Sequence, residues 1–185
     1  TSQLQFFSVD LAGNTETVKV VDYLMDFEAP VTTISPPAGA YTTSQDVTLT
    51  CHDTGGSGCA DTYYTTDGST PTTASTVYTG PIAVSTDTTV RYMSVDAAGN
   101  EEEVRNTSYI IDGDPPTVTA SPGGGLYSTP LSVALSCTAS GSTCTVYYTT
   151  DGSAPTDAST PYTMPIALST DTTLRFIAYD TAGNT

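Results

Sequence analysis

The run Tyr63-Tyr64-Thr65-Thr66-Asp67-Gly68-Ser69-Thr70-Pro71-Thr72 returns as Tyr147-Tyr148-Thr149-Thr150-Asp151-Gly152-Ser153-Ala154-Pro155-Thr156, a step of 84 residues (151 − 67). A near-identical stretch at that distance is an internal repeat, and whatever one copy folds into the other must fold into as well. A second motif repeats with it. Val95-Asp96-Ala97-Ala98-Gly99-Asn100 matches Tyr179-Asp180-Thr181-Ala182-Gly183-Asn184 at the same step (180 − 96 = 84), and Val9-Asp10-Leu11-Ala12-Gly13-Asn14 at 86 (96 − 10). The chain therefore reads as three segments. Residues 1–25 are the last two strands of a preceding repeat, or a donor hairpin; 26–111 is one repeat; 112–185 is another that lacks its final strand.

Within a copy the pattern is that of short strands. Leu4, Phe6 and Ser8 alternate with Gln5, Phe7 and Val9, and Val47, Leu49 and Cys51 fall on one side of the segment 45–51, a period of two. Further strands are expected at 17–24, 31–35, 62–66, 81–85, 89–95 and 104–111, with a short edge segment around Val77 and Tyr78. Pro36, Pro37 and Gly39 break the chain after 31–35, and Asp67-Gly68 with Pro71 makes a turn. No segment has helical periodicity. Strands of this length with turns every ~8–12 residues give the expected class, all-β, as tandem immunoglobulin-like antiparallel β-sandwiches. If Val90, Tyr92 and Ser94 face inward, then Met93 and Val95 face outward, as do their counterparts Phe7, Val9, Ile177 and Tyr179; either the facing is the reverse or neighbouring loops cover this row, or it marks a lateral contact between chains.

The charge balance narrows the partners. Twenty Asp and Glu against four Lys and Arg give a formal net charge of −16. Such a surface repels nucleic-acid phosphates and anionic lipid, while it favours solubility and divalent cations. No apolar run reaches the length of a membrane span. Absence of an initiator Met and of a signal peptide suggests a mature or excised segment. Abundant Thr with little Lys is a composition common in bacterial and archaeal surface proteins.

The four cysteines fall as one pair per copy, Cys51 with Cys59 and Cys137 with Cys144, each just before the Tyr-Tyr strand. Pairing within each copy is the simplest of the three connectivities that four cysteines allow. Zinc would need four ligands and His52 is the one histidine, so disulfides are expected. They place the chain in an oxidising compartment, extracellular or on a cell surface, and each is worth ~2–3 kcal/mol through the short loop it closes.

Tyr-Thr-Thr-Asp-Gly-Ser-x-Pro-Thr (64–72 and 148–156), then Tyr-Thr-x-Pro-Ile (78–82 and 162–166), then Asp-x-Ala-Gly-Asn, resembles the chitobiase/β-hexosaminidase C-terminal type of Ig-like repeat. The resemblance covers nearly all of 26–185. It implies a non-catalytic β-sandwich used as a spacer or accessory module beside enzymes, or in arrays on bacterial surface and secreted proteins. The catalytic domain of a hexosaminidase has no counterpart here, so no glycosidase activity carries over.

The residues themselves agree with a non-enzyme. Carboxylates abound, as a hydrolase would need, but they sit in turns duplicated between copies. His52 occurs in one copy, Gly123-Gly124-Gly125 has no helix after it, and no nucleophile–histidine arrangement is visible. Turn chemistry alone accounts for Asp-Gly-Ser and Asp-x-Ala-Gly-Asn, since Asp caps turns and Gly accepts positive φ. Sandwich topology adds a sharper expectation. Asp26, Glu28, Asp96 and Asn100 should meet at the upper end of the full repeat. Asp67 and Asp87 should lie at its lower end, near Asp112 and Asp114 of the linker and Asp180 and Asn184 of the next copy. Hard oxygen ligands in such number suit Ca2+, although no EF-hand loop is present.

The expected function is structural: extracellular repeats forming a stalk, adhesin shaft or filament, stiffened by Ca2+ at the linkers and partnered by further copies of the same repeats. The last repeat's missing strand has two readings: head-to-tail assembly by strand complementation, with 17–24 as the donor, or a window of a longer covalent array whose next strand lies outside it. The alternative is a carbohydrate-binding accessory module of a secreted glycosidase, with Tyr41, Tyr63, Tyr78 and Tyr127 as stacking faces for glycans, although Trp is absent.

Overall fold

A computed structural model describes residues 2–185, so the expected first segment, 1–25, is described from Ser2 onward. Among the described residues there is no helix. The strands are β1 (Ser2–Phe6), β2 (Lys19–Tyr23), β3 (Val31–Ser35), β4 (Gly39–Tyr41), β5 (Gln45–His52), β6 (Cys59–Thr65), β7 (Thr76–Val77), β8 (Ile82–Val84), β9 (Thr88–Asp96) and β10 (Arg105–Ile111). The second copy continues with β11 (Thr117–Ser121), β12 (Leu131–Thr138), β13 (Cys144–Thr149), β14 (Thr160–Pro161), β15 (Ile166–Leu168) and β16 (Arg175–Asp180).

Strand order in the first copy is β3-β5-β8 in one sheet and β4-β10-β9-β6-β7 in the other; in the second it is β11-β12-β15 and β14-β13-β16. These are all-β, immunoglobulin-like sandwiches. β1 and β2 form a separate antiparallel pair, with Phe6 opposite Lys19 and Ser2 opposite Tyr23. By contact density the chain divides into two compact units. One comprises residues up to Pro36 with Val47–Pro81 and Thr89–Thr107, the other Pro37–Asp46 with Ile82–Thr88 and Ser108–Thr185.

The first unit buries polar as well as apolar groups. Val47, Leu49, Val90 and Tyr92 are buried by the alternation of β5 and β9. Among them the Ser94 hydroxyl lies 2.6 Å from both the Thr32 and the Thr62 hydroxyls, a buried chain of three. The buried Glu102 carboxylate accepts the Thr32 N–H at 2.8 Å and is paired with Arg105 Nε at 2.8 Å. In the second unit Val133, Leu135, Val146, Ile166 and Ala178 make the core of the second copy. Val118, Val146 and Ala178 stand where Thr32, Thr62 and Ser94 stand, so the second copy has apolar side chains in place of the hydroxyl chain.

The structure decides one open reading and corrects one expectation. Met93 does not face solvent; it is buried, opposite Tyr63 in the β6–β9 ladder. Its counterpart Ile177 is half-buried opposite Tyr147, whose ring meets Tyr179 edge-on at 5.9 Å. That row is buried or half-buried in both copies, whereas Phe7 and Val9, in the connection between β1 and β2, are exposed. The Pro-Gly break after β3 also contains a strand. Gly39 to Tyr41 pair in parallel with Tyr109 to Ile111, and the Tyr41 hydroxyl donates to the Pro37 carbonyl at 2.7 Å. Three residues just after two prolines carry no periodic signal; the partner strand makes them a strand.

Candidate functional site

The Asp-x-Ala-Gly-Asn motif is a self-contained turn that also reaches outside itself. Asp96 Oδ1 accepts the N–H groups of Ala98 (2.9 Å) and Asn100 (2.7 Å), and Oδ2 accepts the Asn100 side-chain amide at 2.7 Å. Gly99 takes φ of 91° to close the turn, a conformation cheap only for glycine. Asp180, Ala182, Gly183 and Asn184 repeat this geometry, with bonds of 2.9, 2.9 and 2.8 Å. In each copy the same Asn amide also donates to the backbone carbonyl of the incoming linker. Asn100 reaches Asp26 O at 3.2 Å and Asn184 reaches Asp112 O at 2.8 Å.

The linker residue is held a second time by its own carboxylate. Asp26 accepts the N–H of Glu28 (3.0 Å) and, from the cysteine-bounded loop, that of Ser57 (2.9 Å). Asp112 accepts the N–H of Asp114 (3.1 Å) and the Ser142 hydroxyl (2.7 Å). A side chain at Gly55 would collide with the Asp26 carboxylate, so the loop must pass close by.

These bonds depress the carboxyl pKa values. The nearby Ser57 side chain, then the Glu28 and Ser57 N–H groups, hold Asp26 below the ordinary carboxylate value. Burial opposes the charge on Asp96 and on Asp180, but the Asn100 and Asn184 amides and the turn N–H groups outweigh it, and both are lowered. Asp10, Asp67 and Asp151 are lowered as well, by Asn14, Ser69 and Ser153 respectively.

Asp26, Asp53 and Asp96 each offer a carboxylate oxygen within 4.8 Å of the others, the one such trio among the described residues. Asp53 accepts the N–H groups of Gly55 (3.1 Å) and Gly58 (2.7 Å), and the neighbouring Thr54 hydroxyl donates to Glu28 at 3.1 Å. A carboxylate oxygen keeps lone-pair capacity beyond one hydrogen bond. Three hard oxygens with a fourth carboxylate nearby are a donor set that could hold a divalent cation of the Ca2+ type.

Of the residues expected at the upper end, Asp26, Asp96 and Asn100 are brought together directly, and Glu28 adjoins them through Thr54. Asp53 is not among the residues expected here, because it sits inside the cysteine-bounded loop and belongs to no repeated motif. Its signal was that the second copy has Ala139 there. At the lower end the carboxylates work separately. Asp67 accepts its own turn's Ser69 N–H and hydroxyl, at 2.9 and 2.6 Å. Asp87 accepts the Ile111 N–H at 2.9 Å, and the next residue, Asp112, donates its N–H to Tyr41 O at 2.9 Å. Asp114 lends its N–H to Asp112, and Asp180 with Asn184 forms the second lock. Cys51–Cys59 and Cys137–Cys144 are disulfides, and no cysteine is free.

Residues 36–107 and 122–185 match the family model of the chitobiase/beta-hexosaminidase C-terminal domain. Among solved structures, the fibronectin(III)-like modules of Clostridium thermocellum CbhA align with 83% of this chain and 88% of theirs, at 16% identity and a TM-score of 0.43. The comparison with curated proteins finds no match.

Proposed function

Because the chain belongs to the chitobiase/β-hexosaminidase C-terminal domain family, we propose that it is a non-catalytic structural segment of an extracellular protein. In this reading 26–111 and 112–185 are successive repeats of a stalk, adhesin shaft or filament, and 1–25 closes the repeat before them. The observation that carries it is the doubled linker lock. Each incoming linker is bonded through its backbone to the turn Asn and through its carboxylate to the module's own loop. A free-swinging tether needs neither bond, whereas a spacer that transmits position needs both. Stacked repeats touching only their neighbours then build a quasi-one-dimensional rod. The two disulfides fit a secreted or surface location.

Ca2+ belongs to the first linker in this account, held by Asp26, Asp53 and Asp96, where it neutralises carboxylates that otherwise repel. The second linker has Asp112 and Asp180 with a serine hydroxyl between the loop and the linker, and needs no ion. Negative-stain microscopy of the native material tests the reading: beads in line on a rod are expected, and isolated globules contradict it. The family also supports the accessory-module alternative, in which the repeats hold glycans for a secreted glycosidase. Retention of the chain on immobilised soluble-glycan matrices would favour that alternative.

A further inference from the structure

Both linker locks depend on a loop that a disulfide closes. Cys51 lies near the end of β5 and Cys59 opens β6, and these strands belong to different sheets. Cys137 and Cys144 stand the same way on β12 and β13. Each bridge therefore ties one sheet of its module to the other where the loop crosses. The loop so closed is fastened to the Asp-x-Ala-Gly-Asn turn, since Gly58 O accepts the Ala97 N–H at 2.9 Å and Thr143 O accepts that of Thr181 at 3.0 Å. It also reaches the linker. The Ser57 N–H donates to Asp26 at 2.9 Å, and the Ser142 hydroxyl to Asp112 at 2.7 Å. Disulfide, loop, turn and linker form one connected set of restraints in each copy.

The copies differ in what else shapes the loop. In the first, Asp53 accepts the N–H groups of Gly55 and Gly58 from within the loop, at 3.1 and 2.7 Å, and Thr54 is tied to Glu28 at 3.1 Å. In the second, Ala139 stands where Asp53 stands and brings no acceptor. Among the described residues, Ser142 is the one side chain of that loop with a hydrogen bond, and Asp112, which receives it, is buried.

We propose that the second linker is held by a redox-sensitive latch whose catch is the Cys137–Cys144 disulfide, and that Asp53 makes the first linker insensitive to the same change. A dithiol reductant opens the latch. One of its thiolates attacks a sulfur of the bridge, forms a mixed disulfide and expels the other cysteine as thiolate. Its second thiolate then displaces the first, so the reductant leaves as a disulfide, and two electrons with two protons convert the bridge into two thiols. Neither sulfur is sealed off, as Cys137 and Cys144 are only half-buried. Because β12 and β13 share no ladder, nothing in the sheets replaces the lost tie between the ends of the loop. Ser142 then moves away and leaves a buried carboxylate short of a donor. The loop 51–59 keeps the Asp53 bonds, and with them Ser57 on Asp26. In an oxidising compartment both locks are closed; a reductant frees one of them. The inference concerns the lock alone and holds whether the modules build a rod or serve a glycosidase.

Amide hydrogen exchange of the intact chain tests it, comparing oxidised protein with protein reduced by dithiothreitol, both in chelator so that Ca2+ plays no part. The Thr181 N–H, bonded to the loop, and the Asp114 N–H, bonded to the Asp112 carboxylate, report the latch. Reduction should speed both about tenfold, the worth of one hydrogen bond. The amides of the β13–β16 ladder, and Ser57 and Ala97 in the first copy, should change far less. Asp53→Ala should make Ser57 and Ala97 respond to reduction as Thr181 does. Changing Cys137 and Cys144 together to Ala should reproduce the open latch without reductant. Thr181 protection that survives reduction overturns the proposal. So does a β13–β16 ladder that loses protection equally with Thr181, since the bridge would then hold the whole module. An equal response of both copies in the unaltered chain overturns the role of Asp53. The rod reading is untouched by these results, since the microscopy above tests it.

Discussion

At Ser94 the molecule contains its own control experiment. The hydroxyl chain Thr32–Ser94–Thr62 is buried in the first copy, and the second has Val118, Ala178 and Val146 at the same places. Replacing one member strands its partners, whereas replacing all with apolar groups of similar shape removes the need. Ser94→Ala alone is therefore expected to cost ~1–3 kcal/mol in denaturant unfolding, and the triple change to Val, Val and Ala less than ~1 kcal/mol. An additive triple mutant would contradict this. The carboxylates give a second prediction at this scale. Asp26, Asp96 and Asp180 titrate below the ordinary range when folded. A depressed folded pKa contributes stability that is present above the unfolded value, about 3.9, and lost as pH falls through the folded one. Melting temperature should therefore drop from about pH 4 downward, measured in about 0.15 M salt so that the general negative charge is screened. Asn184→Ala should flatten part of that slope, because it removes a bond to Asp180. A flat profile across the acid range would refute the assignment.

Elements were legible where their cause is local. The alternation of Val47, Leu49 and Cys51, and the turn residues of Asp67 to Pro71, place β5 and the turn after β6 without help from the rest of the chain. Pairing of the cysteines was readable because each copy holds two, close together. β4 was not readable, because its three residues become a strand only through β10. Burial of Met93 is left open by the sequence for a related reason: alternation assigns sides, but it does not say whether the second side is bare. The Asp26–Asp53–Asp96 trio was two-thirds legible. Asp53 is brought in by the loop's path, which Gly55 permits by having no side chain against Asp26. Gly55→Ala is accordingly expected to destabilise the loop by ~1–3 kcal/mol, since the carboxylate it meets is held by Glu28 and Ser57. The same unfolding assay would read it. Non-reducing peptide mapping should recover Cys51 with Cys59 and Cys137 with Cys144, and a bridge between copies would contradict the fold.

For the whole molecule, a formal charge of −16 sets the problem that a spacer must solve. Acidic ends repel when brought together, so a rod of such modules needs fixed linkers or a cation between carboxylates. This chain has backbone locks at both linkers and, among the described residues, one carboxylate trio, at the first. The sequence announced the repeats and the acidity plainly. It could not announce which linker gathers its carboxylates, because that depends on one unrepeated aspartate. Small-angle X-ray scattering of the chain, with millimolar Ca2+ and then with chelator, tests the spacer account most directly. The account predicts a narrow, elongated distance distribution in Ca2+ that broadens on chelation, and an Asp53→Ala variant that stays broad in both. A broad distribution of a flexibly jointed chain under every condition, with Asp53→Ala no different, would contradict it.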